Sequence, residues 1–195
     1  QKALAAPPGT SAMYVTPRAA ERFDGERAPF YEDLDWHRRK ADDHQTPFTS
    51  AVPLFRALAT AVEEIEEEGM PDRIARHRRQ SAAVRDGVTA MGLDLFPDPQ
   101  GETTYSNTVT AVSLPGSIRG DAATDFFDAV AERNVSIAGG QGHLGGEIFR
   151  LSTMGNLTAD QVLRGVRTVA EAMADAGVDV NTAAGIDAAR DRLDA

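Results

Sequence analysis

The sequence contains no cysteine, one tryptophan, and only two lysines among its 20 basic residues. Without cysteine there is no disulfide framework, no thiolate nucleophile and no thiolate zinc site. No run approaches the roughly 18 apolar residues that a membrane-crossing helix needs. The start also lacks the basic, apolar, small-residue order of a signal peptide. The expectation is therefore a soluble cytoplasmic protein that binds no membrane. Positive charge is scarce as well: 30 acidic side chains against 20 basic ones leave a net charge of −10. A general nucleic-acid binder, which must neutralise phosphates, is excluded on that ground. The histidines, at 37, 44, 77 and 143, have no metal-ligand spacing, so no metal site is expected, and His77 reads as an ordinary surface imidazole. No G-x-S-x-G elbow and no phosphate-binding P-loop occurs.

What is present is ordinary globular material, 42% apolar and 26% charged over 195 residues. That length suffices for one good core, or for a small domain plus part of another. The run SAMYVT (11–16) reads as a short strand, and PRAAERF (17–23) as a helix opened by Pro17. Residues 24–47 read as a long irregular loop pinned by Phe30, Tyr31 and Trp36. From Ser50 to about Ala90 the pattern is helical, with Val52, Phe55, Leu58, Ala59, Val62 and Ile65 at helical spacing and an interruption at GMPD (69–72). The glutamates at 63, 64 and 66–68 read as a solvated face. From Gly92 onwards the texture alternates. LDLFPD, TVTAVSLP, VSIAGG and EIFRLSTMG read as strands, and Asp121 can cap a helix carrying Phe126, Phe127 and Val130. Thr158 and Gln161 form a capping box before Val162, Val166, Val169 and Met173, with Gly177 as the stop. A last amphipathic helix fills Val178 to Ala195. The fold class expected is α/β, with the two consecutive helices as a spine joining two domains and a small α+β domain of about 90 residues after them.

Three features carry candidate chemistry. GGQGHLGG (139–146) contains G-x-G-x-x-G, but a strand-like segment follows it where a dinucleotide fold requires a helix. A loop whose backbone approaches a ligand closely is the better reading. Arg150 lies inside a strand between apolar neighbours and must have a partner, since an unpaired buried charge is costly. That partner is either an internal carboxylate or the carboxylate of a substrate, which the planar fork binds through two parallel hydrogen bonds. Lys2 is either a solvated terminal lysine or a reactive amine held in a desolvated pocket.

Together, three segments resemble the C-terminal half of a class V aminotransferase, a pyridoxal-phosphate enzyme of fold type I, in its alanine–glyoxylate and serine–pyruvate branch. They are QKALAAPPG (1–9), QTPFTSAV (45–52) and AGGQGHLGGEIFRLSTMGN (138–156). The resemblance implies that Lys2 carries pyridoxal 5'-phosphate and moves a proton during catalysis. It implies that Arg150 clamps the substrate carboxylate and that Gly139 and Gly140 let backbone approach the substrate. It further implies that Thr46 reaches the cofactor phosphate of the neighbouring subunit of a homodimer. The activity implied is transfer of an amino group from a small amino acid, such as alanine or serine, to glyoxylate or pyruvate. Asp43 stands where branch members such as the animal enzymes place a tyrosine, which alters the phosphate contacts on that side. The family's glycine-rich phosphate loop, ring-stacking aromatic and pyridine-binding aspartate all precede the lysine with which this chain starts. The 195 residues are therefore expected to be a fragment, inactive alone. Two alternatives remain: a lyase-type class V enzyme, or a non-catalytic dimerisation module derived from the small domain.

Overall fold

The computed structural model describes Lys2, residues 4–23 and residues 25–195. The chain divides into two compact units, residues 3–64 and, grouped with Lys2, residues 65–195. Both are α/β or helical in texture, as expected, but local structure differs from the sequence reading at several points.

In the first unit, α1 (Pro17–Ala20) is a single turn capped by Thr16, and α2 (Leu34–Asp42) occupies the middle of what reads as an irregular loop. Asp33 caps α2 by accepting from the Trp36 amide, and Asp35 pairs with Arg38 and Arg39 one turn on. Local capping and i,i+3 and i,i+4 charge pairs thus specify a helix that apolar periodicity does not reveal. Residues 11–16 do not form the expected strand: among the described residues nothing pairs with them, and Tyr14 is 88% exposed. An extended segment without a ladder partner has its backbone groups solvated and gains nothing from pairing. Phe48 gathers Phe30, Tyr31, Trp36 and His37 around it at centroid distances of 4.7 to 6.0 Å within the cluster.

The next helix, α3 (Val52–Glu68), has the expected apolar face, yet Val52, Phe55 and Val62 stay 50, 46 and 37% exposed. It ends at Gly69, whose φ of 81° is open to glycine at little cost, and α4 (Met70–Ala90) begins at once with Pro71 in its first turn. The interruption expected at 69–72 is therefore a one-residue elbow.

The second unit is built on a three-stranded antiparallel sheet in the order β1-β3-β2, from β1 (Val109–Ser113), β2 (Ala138–Gly139) and β3 (Ile148–Ser152). Among the described residues LDLFPD contributes a single bridge, Leu95 to Val112, rather than a strand. The register sets Thr110 across from Leu151 and Val112 across from Phe149, so these four share the inner face. That face meets α5 (Ala123–Glu132) and α6 (Ala159–Asp175) through Phe126, Val130, Val162, Val166 and Val169, all essentially inaccessible. Asp121 lies in a 3-10 turn, and Ala122 takes the cap position of α5 in its place. The capping box of Thr158 and Gln161 forms as expected. After the Gly177 stop, α7 (Thr182–Asp194) packs on α4. There Gly185 and Gly87 bring the two backbones together: a Cβ at Gly185 would lie 2.9 Å from the Gly87 carbonyl.

Candidate functional site

Arg150 stands at the centre of the central strand. Its neighbours Phe149 and Leu151 point to the inner face, so period-two alternation turns Arg150 to the outer one. Directly across from it lie Ala111 on β1 and Ala138 on β2. The side chain is half-buried, and its Nε donates to the Gly139 carbonyl at 2.9 Å. Among the described residues no carboxylate lies within ion-pair distance of it. The internal-carboxylate reading of Arg150 is therefore not realised. Its two terminal nitrogens remain for a ligand, the arrangement that two-pronged carboxylate recognition requires.

The glycine cluster forms the loop beside it. Gly139 ends β2, residues 142–144 make a 3-10 turn, and β3 follows, so no helix meets the loop as a dinucleotide site would demand. Gly140 donates to the Ile148 carbonyl at 3.1 Å, and a Cβ there would lie 1.9 Å from the Leu144 carbonyl oxygen. Backbone occupies the space that any side chain would need. The structure thus brings Arg150 together with Gly139 and Gly140.

The other two candidates lie elsewhere along the chain. Thr46 belongs to the first unit, where its hydroxyl donates to the Phe48 carbonyl at 2.6 Å and shares a 2.6 Å contact with the Ser50 hydroxyl. Its single O–H is thus used within the turn that leads into α3. Lys2 lies in an exposed turn, its amine open to solvent. An exposed primary amine has the chemistry that an aldehyde cofactor requires, but the described residues do not supply the desolvated surroundings that would activate it.

Sequence reasoning missed a polar network on α4. Its buried stripe runs through Arg73, His77, Gln80, Ser81, Val84, Gly87 and Val88, at helical spacing but half polar. His77 is only 8% exposed, with Nδ1 2.8 Å from the Arg73 carbonyl, so it is a core histidine and not a surface one. Glu68 likewise leaves the solvated acidic face. Across the Gly69 elbow it accepts from Arg76 through both oxygens, at 2.5 and 2.9 Å, and from Arg73 at 3.1 Å. The Arg76 guanidinium, with help from Arg73, holds the Glu68 carboxyl down at about 2. Arg76 also donates to the Gly155 carbonyl, and Gln80 to that of Leu157, so α4 grips the turn that follows β3. A glutamate followed by arginines across a glycine was the only available signal.

The described residues hold no group of three or more His, Asp or Glu side chains placed to bind a metal ion, and no helix among them is long and apolar enough to cross a membrane. No protein-family model matches the chain. An uncharacterized aminotransferase of Methanocaldococcus jannaschii is 36% identical to it over 99% of this chain and 49% of that protein. A soluble hydrogenase small subunit of Synechococcus is 34% identical over 91% of this chain and 45% of its own length. The crystal structure of ureidoglycine-glyoxylate aminotransferase from Bacillus subtilis superposes with a TM-score of 0.88 at 28% identity, covering this whole chain and 50% of that one. The chain spans about half the length of the curated relatives that it matches.

Proposed function

Starting from homology to the class V aminotransferases, which covers nearly the whole chain and about half of each relative, we propose that these residues serve a pyridoxal-phosphate-dependent aminotransferase. In this reading the amino group passes from a small amino acid, such as alanine or serine, to glyoxylate or pyruvate, the acceptors used by close homologues. The cofactor, when bound, supplies the electron sink that makes the proton on the substrate Cα acidic. The chain's own residues do the rest. Lys2 would offer its amine as the attachment point and, once freed, would act as the base that carries the proton between the substrate Cα and the cofactor's C4′ carbon. Arg150 binds the substrate carboxylate through its terminal nitrogens, and the Gly139–Gly140 backbone leaves room for the substrate to approach. Thr46 stands for the phosphate side, facing the neighbouring subunit of a homodimer. The exposed apolar face of α3 supports a second copy, since solvent otherwise covers Val52 and Phe55. We further assign residues 1–48 to a cofactor-binding domain, 49–90 to linking helices and 91–195 to the small domain, in a cytoplasmic enzyme.

The observation that carries this reading is Arg150, a half-buried guanidinium with no carboxylate partner among the described residues. The test uses the protein encoded by the complete reading frame that contains this sequence, supplied with pyridoxal phosphate, alanine or serine, and glyoxylate or pyruvate. Arg150→Ala should lower kcat/KM by on the order of 100-fold or more, as expected for a lost charge-assisted pair. Unchanged kcat/KM in that variant would remove Arg150 from the substrate site and the main support for the reading.

A further inference from the structure

Resting on the reading of Arg150 as the carboxylate binder, we infer that Ala111, Ala138 and the Gly139 carbonyl form a seat that aims its guanidinium end-on at the ligand. A guanidinium can meet a carboxylate with its end, through both terminal nitrogens, or with its side, through Nε and one of them. Here the Nε–H is already given to the Gly139 carbonyl at 2.9 Å, which closes the side and leaves the end.

The seat follows from register. Ala111 and Ala138 flank Arg150 on the two neighbouring strands. Directly opposed residues project from the same face with Cβ atoms about 4.5–5.5 Å apart. Each contributes a single methyl group, so the arginine stem crosses the sheet between two low walls, and any longer side chain would enter the path of the guanidinium.

The carbonyl is braced from the other face. A Cβ at Gly139 would sit 3.3 Å from Phe127 Cζ, so that ring lies directly under the glycine. Phe127 in turn packs on Phe126 at 5.3 Å, and Phe126 on the buried Phe149 at 5.2 Å. The chain of rings fixes the carbonyl to the core, and the carbonyl fixes Arg150. Ala111, Ala138 and Gly139 are thus positioning residues, acting through Arg150 on a ligand with one small carboxylate.

The experiment uses the full-length protein with 15N-labelled arginine, titrated with pyruvate alone and then assayed for amino transfer. End-on binding shifts the terminal-nitrogen resonances of Arg150 while its Nε–H signal stays nearly fixed; a larger shift at Nε overturns the end-on geometry. Ala138→Leu, with an unchanged circular dichroism melt, should weaken pyruvate binding and raise KM by about tenfold while kcat stays within about twofold. Should Ala138→Leu bind pyruvate normally while Arg150→Lys loses it, the seat is wrong and Arg150 remains the carboxylate binder. If Arg150→Lys also binds normally, both the seat and the functional reading of Arg150 fall.

Discussion

The two units of this chain handle apolar surface in opposite ways. Among the described residues up to position 64 none is buried, and the aromatics there gather round Phe48 while Tyr31 and Phe30 stay about 70% exposed. The second unit instead sends Phe126, Phe149, Val112 and Val169 to complete burial. Small apolar clusters of the first kind exclude little water, whereas a closed core adds both transfer free energy and close packing. The second unit supplies a closed core beneath Arg150, whereas the first leaves its aromatics largely at the surface.

The largest effect should come from cutting into the closed core. Phe149→Ala should cost about 3–5 kcal/mol, because it leaves a cavity beneath the central strand. It would be read as a drop in the midpoint of urea unfolding followed by circular dichroism. A smaller effect should come from the elbow. Glu68 has its folded pKa held at about 2, below its ordinary 4.5. The stability it adds is therefore complete above about 4.5 and disappears as pH falls towards 2. With a side chain 22% exposed, the pair contributes on the order of 1–2 kcal/mol. Glu68→Gln should lose that amount at neutral pH and flatten the acid limb of the stability profile; an unaltered acid limb would show that the carboxylate is not ionically held. The smallest effect belongs to the open cluster. Phe48→Ala should cost about 1 kcal/mol. It should also shift the fluorescence of Trp36, the chain's single tryptophan and a direct neighbour of that ring. A cost at Phe48 equal to that at Phe149 would erase the contrast between the units.

Much of the second unit was legible because its signals are local. The capping box at Thr158, the valines at helical spacing behind it and the alternation through Phe149–Arg150–Leu151 each report a neighbour a few residues away. Misreadings arose where a residue's environment is set from afar. His77 and Glu68 look solvated in sequence because their partners, a backbone carbonyl and arginines beyond a glycine, leave no apolar pattern. Residues 11–16 have the composition of a strand but, among the described residues, no strand to pair with. Helix α2 was hidden by its polarity, though Asp33 and the Asp35–Arg39 pair announce it once capping is considered. At the candidate site the residue types were legible, while the Gly139 contact that orients Arg150 was not, because only the register reveals it.

The central claim is that Lys2 carries the cofactor, and the chain's two lysines make it directly testable. The full-length protein would be incubated with pyridoxal phosphate, reduced with borohydride, digested and mapped by mass spectrometry. The reduced cofactor adduct is expected on the peptide containing Lys2 and none on Lys40. An adduct confined to Lys40 or to a lysine elsewhere in the protein, with the Lys2 peptide unmodified, would contradict it.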